Sequence, residues 1–318
     1  MIPLQVDIAS ILLNGLQQGA IYALLGLGLT IILGTMEFLN LAHGALYLVG
    51  AYVGLLVFRE TTLTNGLLYS FGVTTIGFDG GFLAALVVVP IVGFGIGLLM
   101  ERFVAEPFYD RPETDQLLVT FGLALIVEEI IKNVIGGNTF QSIGPQTIFG
   151  FNVSQPVALP VVGLFPSWRL FIIVIALVII AVTWLAIERT DFGLVVQAGT
   201  RDSEMVRLLG IKINRSYSLV FALGAALAAF AGLIGASIQT LSPQIGTDRA
   251  LLPAFLTIVV GGAGSVRGAI AGGMLLGVIV SAMTQTYSQW AQIVLYLFVA
   301  LMLIVRPEGL FGSGEVGE

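Results

Sequence analysis

The chain is 318 residues long, 57% hydrophobic and only 10% charged, with a mean hydropathy of +1.00; a soluble globular domain carries about 25% charged residues, so a soluble enzyme is excluded and a membrane protein expected. A formal charge of -6, from 13 Lys and Arg against 19 Asp and Glu, argues against nucleic acid or an anionic lipid surface as the main partner. Without cysteine there are no disulfides, thiolate metal sites or cysteine nucleophiles, and the single histidine, His43, cannot build a zinc site.

At about 20 residues per crossing, this length fits one helical bundle of about eight or nine segments rather than two soluble domains. Met1 to Asp7 lacks the basic start of a signal peptide, and the apolar stretch after it is too long for a signal core, so that stretch is expected to be a retained first span. Apolar stretches follow at Ile8 to Leu33, Phe38 to Phe58, Phe82 to Met100, Gln116 to Ile135, Leu170 to Ile187, Tyr217 to Ile238, Leu251 to Gly262, Ala269 to Met283 and Ala291 to Val305. The stretch Leu251 to Gly262 is too short to cross a hydrocarbon core of ~30 Å and is expected to be re-entrant or a broken half-helix. The fold class is therefore all-α, a polytopic membrane bundle of transmembrane or re-entrant segments, with residues 1–318 as a single integral-membrane domain.

Orientation follows from the basic residues, which cytoplasmic loops retain. The connection 188–216 carries Arg189, Arg201, Arg207, Lys212 and Arg215 and is placed inside; alternation adds Arg102, Arg111, Arg267 and Arg306 to that side and leaves Arg59, Lys132, Arg169 and Arg249 on or toward the outer one. Two outer connections are long, 59–81 and 136–168, the second rich in Gly, Pro, Asn, Gln and Ser, as in an ordered loop that docks something. Glycines four apart at Gly15/Gly19, Gly50/Gly54, Gly93/Gly97, Gly268/Gly272 and Gly273/Gly277 let helix backbones approach closely in lipid, for tight packing or as sliding surfaces.

Four constellations are candidates for function. At the junction of the first two spans, Glu37, Asn40, Gly44 and Tyr47 recur at three- and four-residue steps and would share one helical face, with His43 beside them. Such a stripe is either an interfacial cap and hydrogen-bonding cluster or the lining of a polar solute path, because lipid cannot satisfy it. Glu128 and Glu129 sit in an apolar stretch with Lys132 in reach of one of them, which reads as structural pairing by a water-filled vestibule or as a proton relay. The run Gly261-Gly-Ala-Gly-Ser-Val-Arg-Gly268 lacks the Lys-Ser/Thr ending of a phosphate loop and has no strand before it; Gly261, Gly262, Gly264 and Ser265 instead mark a discontinuous helix with irregular backbone at a gate. In the inside loop, Asp202 can cap a short helix with Met205, Leu208 and Leu209 on its apolar side and Gly210 at its end.

At that loop and at Asn40-Leu-Ala-His-Gly44 the sequence resembles the permease subunits of branched-chain amino acid ABC importers, the Liv type. The resemblance covers nearly the whole chain: Gly26-Leu-Gly-Leu-Thr30, Gly50-Ala-Tyr52, Thr120-Phe-Gly-Leu123, Arg189-Thr-x-x-Gly193, Arg201-Asp202 followed by Leu208-Leu-Gly-Ile211, and Gly261-Gly-x-Gly-Ser265. Each fragment is weak by itself and the combination is specific. The resemblance implies an all-helical permease in a prokaryotic plasma membrane, paired with a second, homologous permease, two cytoplasmic ATPase subunits and an external solute-binding protein. It implies no cofactor in this chain, with ATP and Mg on the ATPases. Arg201, Asp202, Glu204, Met205, Arg207, Leu208 and Gly210 then look like the coupling helix seated in an ATPase groove, and Glu37, Asn40, His43, Tyr47 and Thr120 like the translocation path. The acidic pair in Val127-Glu-Glu129 departs from the neutral helix expected there, which leaves a neutral amino acid or a polar amide such as urea as the solute. An ion-coupled secondary transporter is the competing class, with only Glu128 and Glu129 as embedded cation ligands. An intramembrane enzyme would need convergent nucleophile, base or metal ligands, for which the sequence offers little.

Overall fold

A computed structural model describes residues 8–145, 147–148, 150–159, 163–201, 203–208 and 213–312. Each apolar stretch named above contains a helix, although the start of the second, 38–42, is not helical, and in chain order the elements are α1 (Ile8–Met36), α2 (His43–Phe58), β1 (Thr61–Thr62), α3 (Leu67–Ser70), β2 (Thr75–Ile76), α4 (Gly81–Met100), α5 (Glu113–Val134), β3 (Thr147–Ile148), β4 (Phe151–Asn152), β5 (Pro156–Leu159), β6 (Gly163–Pro166), α6 (Ser167–Arg189), α7 (Asp191–Arg201), α8 (Ser203–Leu208), α9 (Ile213–Ile238), α10 (Leu252–Gly261), α11 (Val266–Tyr287) and α12 (Ala291–Val305). The strands form three antiparallel two-stranded hairpins, β1 with β2, β3 with β4 and β5 with β6, all inside the two long connections expected on the outer side.

Among the described residues, five helical stretches are long and apolar enough to cross a membrane: Ile8–Met36, Gly81–Phe108, Ser167–Arg189, Arg215–Ile238 and Val266–Val305. The helix α5 has the length but carries Glu113, Asp115, Glu128, Glu129 and Lys132, and α2 is the shorter apolar helix. Several of these helices keep an exposed apolar stripe, as lipid contact requires: Val174, Val178 and Val182 on α6, and Ile293, Leu297, Leu301 and Ile304 on α12.

The chain forms two compact units, one from residues 1–30, 146–184 and 253–318, the other from 31–145 and 185–252. In the second unit α2, α4 and α9 pack on one another through small residues. A Cβ on Gly50 would stand 2.0 Å from Ala229 O, and one on Gly93 or Gly97 would strike Ala229 or Ala225 of α9 at 2.6 Å. Tyr47, 1% exposed, lies against Gly232 and Gly235 of α9, where a Cβ on Gly235 would be 1.7 Å from its hydroxyl. Close backbone approach of this kind is how apolar helices associate where lipid removes the hydrophobic drive between them.

The first unit uses the same device. Gly15 and Gly19 of α1 face α11, with a Cβ on Gly277 falling 2.2 Å from Gly19 N and one on Gly273 falling 2.4 Å from Ala23 N. Ser281 Oγ donates to Ile11 O at 2.8 Å and Ser10 Oγ to Gln285 Oε1 at 2.7 Å along the same contact. Tyr22, Val260, Leu276, Leu295 and Val299 form its buried core. All five glycine pairs read from the sequence thus lie at close helix contacts.

Two helical turns widen to π geometry, Glu101–Ala105 after α4 and Thr247–Leu251 before α10, and each ends two residues before a proline, Pro107 and Pro253. Proline has no N–H and its ring crowds the carbonyl one turn back, so a locally widened turn relieves the clash.

Candidate functional site

The junction between α1 and α2 is not helical. Glu37 N–H still bonds Leu33 O at 2.9 Å, but Glu37 then takes a left-handed φ of 52° and ends α1. Residues 37–42 run as a turn before α2 begins. The shared helical face expected for Glu37, Asn40, Gly44 and Tyr47 is therefore wrong: Glu37 is exposed, Asn40 lies in the turn, and only Gly44 and Tyr47 are on α2. Gly44 packs on Gly246, where a Cβ would meet Gly246 O at 2.7 Å.

A broken helix leaves backbone donors that must be satisfied when buried. Here side chains from α5 supply the acceptors. Leu39 N–H donates to Gln116 Oε1 at 3.3 Å, and Leu41 N–H to Thr120 Oγ at 3.1 Å. Asn40 Oδ1 accepts from Ala42 N–H at 3.0 Å, and Asn40 O from His43 N–H at 3.3 Å. Thr120 donates in turn to Gln116 O at 2.7 Å, and Gln116 Nε2 to Phe108 O and Arg111 O, each at 3.2 Å. Asn40, His43 and Thr120 are each 0% exposed and Gln116 is 4% exposed. The structure thus brings Asn40, His43 and Thr120 together and leaves Glu37 outside the cluster. The sequence reading missed Gln116, although its position one helical turn before Thr120 was the available signal.

A second buried polar cluster was also missed. Glu101, 2% exposed, accepts from Tyr109 Oη on one carboxylate oxygen and from Ser218 Oγ of α9 on the other, both at 2.7 Å. Burial and the neighbouring carboxylate raise the pKa of the Tyr109 hydroxyl, which keeps it a neutral donor. The Tyr109 ring meets Phe38 of the broken junction edge-on at 6.0 Å and Tyr217 at 5.7 Å. Val206 of α8 and Tyr217 share one apolar cluster, against which Met36 and Tyr109 pack. Side chains from the α7–α8 connection thus reach the end of α1.

That connection is built for a tight reversal. Thr190 Oγ accepts from Gly193 N–H at 3.3 Å and so caps the start of α7, while a Cβ on Gly193 would stand 2.0 Å from Ile187 O. These are the threonine and the glycine of the Arg189-Thr-x-x-Gly193 fragment, and both have a geometric reason. Met205 and Leu208 of α8 are 53% and 76% exposed. Arg201, Glu204 and Arg207 are helical in backbone, but their side chains, with Asp202 and Gly210, lie outside the described residues.

The glycine run behaves as a helix break. α10 ends at Gly261, Gly262 and Gly264 take φ of 99° and 77°, and Ser265 Oγ caps α11 by accepting from Gly268 N–H at 3.0 Å. Gly261 and Gly268 touch backbone to backbone, so the two helices fold sharply on each other. The last carbonyls of α10 are met from the C-terminal segment: Leu310 N–H donates to Val260 O at 2.8 Å and Phe311 N–H to Gly261 O at 3.0 Å. At the acidic pair, Lys132 bonds Glu129 at 3.0 Å, and Glu128 accepts from Thr247 Oγ at 2.9 Å, a neutral partner on the π turn before α10.

The model of the family described as branched-chain amino acid transport system / permease component matches residues 11–306. The chain is 30% identical to the high-affinity branched-chain amino acid transport system permease protein LivH of Escherichia coli, over 95% of each protein, and 30% identical to the corresponding permease BraD of Pseudomonas aeruginosa, over 96% of each. It is 28% identical to the permease LivM of Escherichia coli over 96% of this chain and 69% of that protein. No solved structure matches. A multi-pass helical chain with buried polar breaks and matches of this extent belongs to the permease component family of branched-chain amino acid transport systems.

Proposed function

We propose that the chain is one permease subunit of an ABC importer that carries branched-chain or similar neutral amino acids inward across a prokaryotic plasma membrane. It would work beside a second, homologous permease, receive solute from an external binding protein, and be driven by ATP and Mg on two cytoplasmic ATPase subunits. The relatives named LivH and LivM, both branched-chain amino acid transport permeases, support a paired permease. In this reading α2, α5 and the re-entrant α10 complete the crossings beyond the five long apolar stretches, for eight or nine segments in all.

The observation that carries the coupling is the cluster of Val206, Tyr217, Met36 and Tyr109. An ATPase that takes the exposed Met205 and Leu208 of α8 into a groove would push on Val206 from the same short helix. The push would pass through Tyr217 and Tyr109 to Phe38, at the head of the 37–42 turn. Arg201, Asp202, Glu204, Arg207 and Gly210 complete the docking segment. Moving that turn would open the path at Asn40, His43, Tyr47 and Thr120, with the Gly261 to Ser265 break as a second moving part.

Proteoliposomes holding this chain with its partner permease, ATPases and binding protein test the reading. ATP-dependent accumulation of leucine, lost when ATP is replaced by a non-hydrolysable analogue, is the expected result. Uptake of urea in preference to leucine would move the solute to the amide class. Accumulation by the chain alone on a proton or sodium gradient would replace the reading with a secondary transporter.

A further inference from the structure

We propose that the first turn of α2 and the carboxamide of Asn40 together form the site that recognises the α-carboxylate of the transported amino acid. This rests on the permease reading and names the chemistry of its binding site.

Two independent features meet there. The first is a buried helix start. α2 is 16 residues long and begins at His43; its N-cap Ala42 makes no side-chain cap bond, and since His43 N–H is taken by Asn40 O, the first-turn donors in question are those of Gly44 and Ala45. The first N–H groups of a helix have no intrahelical acceptor and carry the positive end of its dipole, a ready site for a carboxylate. The second is Asn40, 0% exposed, whose Oδ1 is engaged by Ala42 N–H while its Nδ2 has no hydrogen-bond partner. Oδ1 bonds Ala42 N–H, directly before α2, which holds the carboxamide beside the helix start. A buried amide donor without an acceptor is costly, and it persists where an incoming ligand supplies the acceptor.

The surroundings fit the rest of an aliphatic amino acid. Ala42 and Ala45 of this turn share an apolar cluster with Ala124 of α5, against which Leu123, Val127 and Met100 pack. A carboxylate on the amides would leave its aliphatic side chain beside this surface. The site is closed in the structure, since Asn40 and His43 are fully buried. Entry requires release of the 37–42 turn, which Gln116 and Thr120 hold by two hydrogen bonds.

The test uses the complete transporter in proteoliposomes, reading leucine delivered per ATP hydrolysed, together with leucine binding to the solubilised permease complex without binding protein. Asn40→Asp places a negative charge against the carboxylate, and a drop in leucine per ATP of about tenfold or more is expected in complexes that assemble. On the unaltered complex, leucinamide, which has no carboxylate, should compete with leucine at least tenfold more weakly than isoleucine does. A coupling ratio unchanged in Asn40→Asp, or leucinamide competing as well as isoleucine, overturns the assignment. If Asn40→Asp does not assemble, Asn40→Ser carries the test, with a severalfold loss expected and an unchanged ratio refuting it. Failure of the unaltered complex to move any leucine with ATP would instead refute the permease reading itself.

Discussion

Thr120→Val is the sharpest probe of how the α1–α2 break is held. Valine keeps the shape of threonine but removes the oxygen that accepts from Leu41 N–H at 3.1 Å, in a position 0% exposed. One part-buried backbone N–H is then left without its acceptor, at a cost of up to about 1–3 kcal/mol. Loss of the hydroxyl's own bond to Gln116 O matters less, because that carbonyl already belongs to the helix. At roughly 2–4 °C per kcal/mol, the melting temperature of the solubilised protein should fall by several degrees. Thr286→Val is the control: that hydroxyl bonds only Ala282 O on its own helix, at 2.8 Å, and leaves no donor behind. Gln116→Leu removes the acceptor of the neighbouring Leu39 N–H, so the two changes act on one turn and should not add. A Thr120→Val protein that melts no lower than Thr286→Val, or strict additivity with Gln116→Leu, would show that α5 does not hold the break.

Gly235→Ala puts a methyl 1.7 Å from the Tyr47 hydroxyl and should destabilise by about 1–3 kcal/mol; adding Tyr47→Phe should recover part of the melting temperature, and no recovery would place the strain elsewhere. Glu101→Ala leaves the Tyr109 hydroxyl without its acceptor, at about 1–3 kcal/mol, and removes one bond of Ser218, whereas Glu101→Gln retains an acceptor and should lose less; equal melting of the two variants would refute the two-bond geometry. Met205→Asp with Leu208→Asp should abolish co-purification of the ATPase and ATP-driven uptake while leaving the melting temperature unchanged, because both side chains are exposed; intact co-purification would remove α8 from the docking surface.

What the sequence disclosed was what lies in local pattern. Apolar runs gave the helices and small residues four apart gave their contacts, because both depend on spacing alone. The stretch 251–262 was expected to be too short to cross, whereas the structure continues it N-terminally through the π turn Thr247–Leu251, which the hydropathy pattern did not reveal. The 37–42 break was hidden because the steps 37, 40, 44, 47 mimic a helical period, while the forces that unwind it are nonlocal: acceptors arrive from Gln116 and Thr120, and only Asn40 acts from within. Glu101 stayed hidden for the same reason, since its partner Ser218 stands 117 residues away. The helix α7 was legible from Thr190 as a cap and Gly193 as its tight turn, but the basic residues of the loop drew the reading to 202–210 instead. The extra partner of Glu128, Thr247, likewise comes from a distant segment.

The bonds from Leu310 and Phe311 to the end of α10 set an order of events during biogenesis. Carbonyls stranded in lipid are costly, and those of Val260 and Gly261 receive their donors from residues translated about fifty positions later, roughly several seconds of ribosome time. The α10–α11 hairpin must therefore wait at the translocon or a chaperone, wetted or shielded, until the segment after α12 emerges. Truncation before Leu310 should be felt first as a failure of insertion, well upstream of any defect in transport.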